Sequence, residues 1–487
     1  MKKVCSPLAE SIEESPSKIQ VKLQALMNHT AERIIKIIDA EIVQQMNTND
    51  YTELVLLSSW GMDGSTGYSQ YHQALSMPNQ KDDSDVFSVT TTPIQLYYQN
   101  NKKSILWHNL TPQSIRFCRP IMLEFIKESK EMVLNTKRYI ENQISELVPV
   151  KIQSSNGEFV LVDFIFVMSM IDGKVLNYVT DTSSISNCPI CGATPNVMSD
   201  IQKLEAGYES NEDALHCGIS PLHAWMRFFE CLLHISYRME IKKWKITMDL
   251  KAKFLDRKKL VTEKLYEAFG VRVDQPRAGG AGTSTTGNVC RKAFSNPELL
   301  SKVLDIDEDL IVRFRNILIV INCQDPINPK KMDDYCKETY RRYIKLYDWY
   351  KIPATVHKVL AHAGSIIIHS PAPLGMLAEE AAECQHKLLK KCRTHHARKR
   401  SRVDNLHDVF IRAMNSSDPL RSSINLGSRM RKKVSHEYPD VVKSLLVFED
   451  LYSSENVNTE DNALDELMDD VEQLDDDFAL GENVENE

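Results

Sequence analysis

Two apolar runs rich in β-branched and aromatic residues constrain this chain more than any other feature. Leu54-Val55-Leu56-Leu57-Ser58-Ser59-Trp60 has a buried-strand pattern, and turn residues break it at Gly61-Met62-Asp63-Gly64. The second run, Phe159 to Met168, is longer; it passes through Ile171-Asp172-Gly173 and resumes over Lys174 to Val179, the pattern of a strand pair with an aspartate at its end. The apolar stretch Phe159 to Ile171 contains Asp163 and is too short to span a bilayer, and Met1-Lys2-Lys3-Val4-Cys5-Ser6-Pro7 lacks the apolar core of a secretory signal. Neither secretion nor a membrane span is expected.

Around these strands the apolar spacing is helical. Residues 17–46 read as one helix, with Ile19, Leu23, Leu26, Met27, Ile34, Ile35, Ile38 and Ile42 at three-to-four spacing. Val86 to Leu106 reads as β-rich and Arg119 to Leu147 as a long helix. Leu222 to Phe269, Leu299 to Ile321 and Tyr335 to Ala363 also read as helical, and after Pro371 and Pro373 a helix is expected from about Leu374 to Lys399. The chain has 487 residues, enough for roughly two to four domains, with no repeat of fixed period. The expected divisions are a helical lead-in over 1–50, a first β-rich part over 51–180, a helical middle over 181–372, a basic helical part over 373–447 and a tail over 448–487.

The net charge of −8 argues against a nucleic-acid partner until the charges are located. From Glu449 to Glu487 there are sixteen acidic side chains and no Lys or Arg, so residues 1–448 carry 59 basic against 51 acidic groups. This acidic, Asn-containing tail reads as disordered. Lys387 to Lys433 concentrates fourteen Lys and Arg against three Asp, a density that suits a phosphate backbone or a nuclear-import receptor as well as it suits a solvated helix face.

Eleven cysteines, an odd number spread over a long chain, fit a reducing compartment better than a disulfide framework. Cys188-Pro189-Ile190-Cys191 has the spacing at which two thiolates share one tetrahedral zinc, or form a buried or redox pair. Spacing leaves the remaining ligands open between His216-Cys217, nearby, and His357 with His362, farther on. Asp63 and Asp172 each follow an apolar run and precede glycine, which suits either an active-site carboxylate or a hairpin turn. Glu379, Glu380 and Glu383 fall on the late helix. Three converging carboxylates could hold two divalent cations about 3.5–4 Å apart. Gly279-Gly280-Ala281-Gly282 lacks the ending of a phosphate-binding P-loop, whereas Gly287-Asn288 followed by Arg291-Lys292 could offer backbone amides and cations to a phosphate.

Taken in order, Ser59-Trp60-Gly61-Met62-Asp63-Gly64, Ser169-Met170-Ile171-Asp172-Gly173-Lys174-Val175, Cys188-Pro189-Ile190-Cys191-Gly192-Ala193-Thr194, Asp213-Ala214-Leu215-His216-Cys217, His357-Lys358-Val359-Leu360-Ala361-His362 and the helix around Glu383 resemble the Transib DNA transposases and the related catalytic subunit of the V(D)J recombinase. The resemblance covers about residues 20–435. It implies an α/β, RNase H-like fold, a mixed sheet with helices interrupted by a large α-helical, zinc-binding insertion. It implies that Asp63, Asp172 and Glu383 are the catalytic acids and bind two Mg²⁺ or Mn²⁺ ions. It also implies one structural zinc on Cys188, Cys191, His357 and His362, with His216 structural or a DNA contact. Asn288, Arg291 and Lys292 match a family segment that touches DNA, and Lys390, Lys391, Arg393, Arg398 and Lys399 lie in the basic stretch after the glutamate. The implied activity is metal-dependent nicking of duplex DNA followed by hairpin formation or strand transfer, in the nucleus and by a homodimer. A non-enzymatic DNA- or chromatin-binding protein derived from a transposase is the alternative. Larger members carry a segment ahead of the first aspartate that reads the transposon ends. With 62 residues before Asp63, the expectation is a shortened or domesticated member, or one that needs an accessory protein.

Overall fold

The computed structural model describes residues 5–39, 52–66, 83–155, 157–276, 283–430 and 438–447. They fall into two compact units, one within Met1–Ile171 and Glu379–Val434, the other within Asp172–Ala378 and Ser435–Leu464. The fold is mixed α/β. Among the described residues no helix is long and apolar enough to cross a membrane.

The first unit is built on an eight-stranded mixed sheet: β1 (Ile12–Glu14), β2 (Lys18–Val21), β3 (Thr52–Ser65), β4 (Val86–Tyr98), β5 (Asn101–His108), β6 (Arg119–Glu124), β7 (Val150–Gln153) and β8 (Phe159–Met170). Their order is β1-β2-β6-β4-β3-β8-β7, with β5 paired to β4. Among the described residues only β3 and β8 run parallel, and the other pairings are antiparallel. Leu54 to Met62 are buried without a break, as a strand covered on both faces must be. Pro93 is tolerated inside β4 because β6 pairing ends at Thr91 and β5 pairing begins at Gln95; the register against β3 also slips there. Asn109 caps the gap, its Nδ2 donating to Pro93 O at 3.0 Å and its backbone N–H to Ile94 O at 2.8 Å.

Several expected elements are corrected. Residues 17–46 are not one helix: Ile19 and Val21 alternate into the core on β2, and the helix spans Leu23–Ile35. Residues 40–46 lie outside the described residues. Arg119 to Leu147 divides into β6 and a helix over Lys130–Ser145, whose N-terminus is capped by Ser129 accepting from the Met132 N–H at 3.3 Å. Neither Asp-Gly pair is a hairpin turn. β3 runs through Asp63 and Gly64 to Ser65, opposite Ser88, Phe87 and Val86 of β4. Gly61 permits this, because a Cβ there would fall 1.8 Å from Met170 O. Lys174 to Val179 is helix, not strand: Asp172 takes the N-cap position and accepts from the Val175 N–H at 2.7 Å, which turns the chain into the Gly173–Val179 helix.

In the second unit Leu222 to Phe269 forms two helices, Pro221–Arg238 and Lys251–Phe269, separated where Lys242 adopts φ 49°. With Glu308–Asn322, Pro329–Tyr347 and Ala354–His369 they enclose an all-helical core in which Phe228 meets Phe314 edge-on at 4.7 Å. The stretch expected as one helix from Leu374 to Lys399 is a 3-10 turn at Leu374–Leu377, a helix over Glu380–Lys391 and a π-turn at Cys392–His396. Gly279 to Gly282 and the acidic tail lie outside the described residues.

Candidate functional site

The second unit assembles the Cys/His cluster. The Cys188-Pro-Ile-Cys191 knuckle closes on itself through Gly192 N–H to Cys188 O at 2.9 Å and Cys188 N–H to Ala193 O at 3.0 Å. Gly192 stands at φ 68°, a left-handed conformation that explains glycine directly after the second cysteine. His357 and His362 come from the Ala354–His369 helix, their ring centroids 5.3 Å apart. One ligand atom from each of Cys188, Cys191, His357 and His362 falls within 4.8 Å of the others. Such a Cys2His2 set could bind a metal ion such as zinc.

Its electrostatics and outer contacts suit that chemistry. The hydrogen bond from Cys191 holds the Cys188 thiol well below its ordinary value, and the same bond to Cys188 pushes Cys191 up; a bound cation would favour the thiolate of both. Burial lowers His357, which keeps the ring neutral. Tyr340 fixes its tautomer. The single phenolic proton goes to Met198 O at 2.6 Å, so the oxygen accepts from Nδ1–H of His357, also at 2.6 Å, and Nε2 turns its lone pair toward Cys191 Sγ at 3.3 Å. His362 contacts Ser210 Oγ through Nδ1 at 3.3 Å, while its Nε2 is buried without a hydrogen-bond partner, as a metal-ligating nitrogen would be. Tyr208 sets its ring edge against both imidazoles, at 4.8 and 5.9 Å. His216 is exposed and stacks edge-on with His369 at 5.3 Å, outside this cluster.

Of the three expected acids, Asp63 and Glu383 belong to the first unit. Asp63 lies on β3, its side chain 19% exposed, and the Glu380–Lys391 helix packs on the same strand. That helix is fixed from beneath by Ala381 and Ala382, which form a small core with Cys118 and Met170, and by Gln385 Nε2 donating to Cys118 O at 2.7 Å. Burial pushes the Cys118 thiol up to about 12, so it stays protonated in this contact. Glu379 and Glu380 are buried at the start of the helix, while Glu383 is half-buried. His386, one turn beyond Glu383, places Nε2 3.1 Å from Asp63 Oδ2. Glu128 also approaches: a Cβ on Gly64 would meet Glu128 Oε2 at 2.7 Å, so glycine after Asp63 leaves room for a further carboxylate. Asp172 is the first residue of the second unit, two positions along the chain from Met170, which pairs with Gly61.

The expected DNA contacts divide by their local partners. Asn288 and Arg291 are half-buried on the Gly287–Phe294 helix, Arg291 lying 5.6 Å from the Trp225 ring and donating to Asn322 Oδ1 at 3.4 Å; Lys292 is exposed. In the first unit Lys390 and Lys391 sit in the last helical turn, where the dipole favours cations, and Lys390 Nζ donates to Thr66 O at 3.2 Å. Arg393 pairs with Asp83 and lies 4.7 Å from the Phe125 ring. Arg398 forks onto Asp408 at 2.8 and 2.9 Å, and Lys399 is exposed.

His386 and Tyr340 are missed by the sequence reading. The spacing of Glu383 and His386, three apart on one helical face, is the signal that could have found His386. No protein-family model matches this sequence, and no curated protein matches it either.

Proposed function

We propose that the chain is a divalent-metal-dependent DNA strand-cleaving and strand-joining enzyme of the Transib type, with Asp63, Asp172 and Glu383 as its carboxylates. The observation that carries this reading is the convergence of Asp63, on a central strand, with the helix that bears Glu383. Two further features support it. The run β6-β4-β3-β8, with β8 parallel to β3, has the order of an RNase H-like sheet, although β7 returns antiparallel beside β8. Most of the second unit, Asp172–Ala378, lies in sequence between β8 and the Glu380–Lys391 helix, as an insertion in such a domain would, with a further segment of it following in Ser435–Leu464; this unit carries the Cys2His2 set that would hold one structural zinc.

The carboxylate oxygens of Asp63 and Glu383 are hard donors suited to Mg²⁺ or Mn²⁺. Such ions, when bound, lower the pKa of a water, orient a 3′-hydroxyl and stabilise the leaving oxygen. Asp63, held on the strand, and Glu383, held on the clamped helix, would fix the geometry for in-line attack. Water breaks one phosphodiester and leaves a 3′-hydroxyl; that hydroxyl attacks the opposite strand, giving a hairpin, or attacks target DNA, giving strand transfer. Duplex DNA is the partner on this reading, with a homodimer, an accessory protein and a nuclear location expected alongside it. The test is nicking of duplex DNA by the full chain in Mg²⁺ or Mn²⁺. Asp63→Asn, Asp172→Asn and Glu383→Gln should each abolish nicking while DNA binding persists. Cleavage unchanged in any of the three removes that residue from the site, and salt-sensitive binding without cleavage in the parent chain favours the non-enzymatic DNA-binding alternative.

A further inference from the structure

His386 is 7% exposed, and its Nε2 lies 3.1 Å from Asp63 Oδ2 and 3.3 Å from Ser88 Oγ. Ser88 is the residue opposite Asp63 in the β3–β4 register, so the imidazole descends from the helix onto that one rung of the sheet. Asp63 and Ser88 meet the same ring nitrogen. A nucleophile relay from aspartate through imidazole to serine needs one partner at each nitrogen, so these three residues do not form a hydrolytic triad. What remains is an N–H directed at one oxygen of a carboxylate, the outer contact that commonly orients a metal-binding group.

On the function proposed above, we propose that His386 is a positioning residue for Asp63. Its Nε2–H holds Oδ2 and fixes the rotation of the carboxylate, so that Oδ1 is presented to a divalent cation. The donor need not be charged, because the neutral Nε2–H tautomer suffices. The helix is anchored independently through Gln385, Ala381 and Ala382, so removing the imidazole leaves the backbone around Glu383 supported.

The test uses Mn²⁺ binding to the full chain, read by electron paramagnetic resonance of the free ion, and so requires no cleavage. Asp63→Asn should remove a Mn²⁺ site. His386→Leu should weaken that site about 10- to 100-fold, and His386→Gln, whose amide nitrogen reaches the position of Nε2, should return it to within about threefold of the parent. If His386→Leu does not fold, His386→Phe keeps the ring volume without the donor and is read in the same way. In nicking assays the half-saturating Mn²⁺ should rise by the same factor, with the rate at saturating metal nearly unchanged. A lowered melting temperature with unchanged Mn²⁺ affinity means a purely structural histidine and overturns the proposal. So does failure of His386→Gln to restore binding, or a parent chain with no Mn²⁺ site that Asp63→Asn removes. Mn²⁺ binding that follows this pattern without any nicking supports the positioning role and overturns the nuclease reading instead.

Discussion

Tyr340→Phe removes one oxygen and leaves the rest of the side chain in place, yet it acts on two buried groups at once. The Tyr340 side chain is fully buried, and its hydroxyl bridges Met198 O and His357 Nδ1, each at 2.6 Å. Burial pushes the phenol up, so it stays protonated and keeps the donor that sets the direction of both bonds. Without it a buried carbonyl and a buried ring N–H lose their partners, at about 1–3 kcal/mol each, which places the destabilisation at about 2–4 kcal/mol after partial relaxation. The same loss frees the His357 ring to rotate or change tautomer, and removal of such an outer partner lowers metal affinity about 10- to 100-fold. Zinc affinity should be measured by competition with a chromophoric chelator, and stability by thermal melting with and without the chelator. The variant should lose zinc at a correspondingly lower chelator concentration and melt earlier. If Tyr340→Phe holds zinc as tightly as the parent, Tyr340 does not orient His357 and the tautomer assignment fails.

Gly61→Ala would drive a Cβ to 1.8 Å from Met170 O, a backbone atom that cannot yield without parting β3 from β8; the expected cost is about 3 kcal/mol or more, seen as a lowered melting temperature or failure to fold. The Arg33 guanidinium meets the fully buried Asp418 carboxylate through two bonds of 2.8 Å, so Arg33→Ala should destabilise by about 3–5 kcal/mol, whereas a double replacement by apolar residues should recover most of it in denaturant titrations. Burial and the nearby Arg238 hold His234 below the ordinary histidine value. Its unfolded form therefore takes up a proton first as pH falls, so the His234 contribution is intact above about pH 6.5 and lost below it. His234→Gln should flatten the melting-temperature profile between pH 7 and 5.5; an unchanged slope refutes the assignment.

The sequence was most legible where one period ran unopposed. β8 falls where apolar spacing places it, and Leu299 to Ile321 and Tyr335 to Ala363 are helical apart from a break in each, at Asp305 and before Ala354. It was least legible where local chemistry overrode the pattern. Asp172-Gly173 carries a turn signature, but the carboxylate caps a helix, and the apolar Val175, Leu176 and Val179 that mimic a strand lie within that helix. Asp63-Gly64 carries the same signature and sits inside a strand, because the neighbouring strand's close approach at Gly61 lets β3 continue. Ile19 and Leu23 merge into one helical period although the chain changes from strand to helix between them. For the Cys/His cluster, Cys188 and Cys191 are evident from spacing, but the choice of His357 and His362 needed either the family resemblance or coordinates. Tyr340 and His386 act through other residues, and a contact between distant parts of the chain leaves no local period to read.

One consequence of the Cys/His cluster concerns how the chain would come apart. Cys191 and His357 are separated by 166 positions, so an ion held across them ties a very large loop, a constraint worth about 5 kcal/mol if treated like a covalent cross-link. A protease that cuts once within that loop would not release the pieces: the severed halves would stay tied through the ion as well as through the helical core they share, and would migrate together under native conditions.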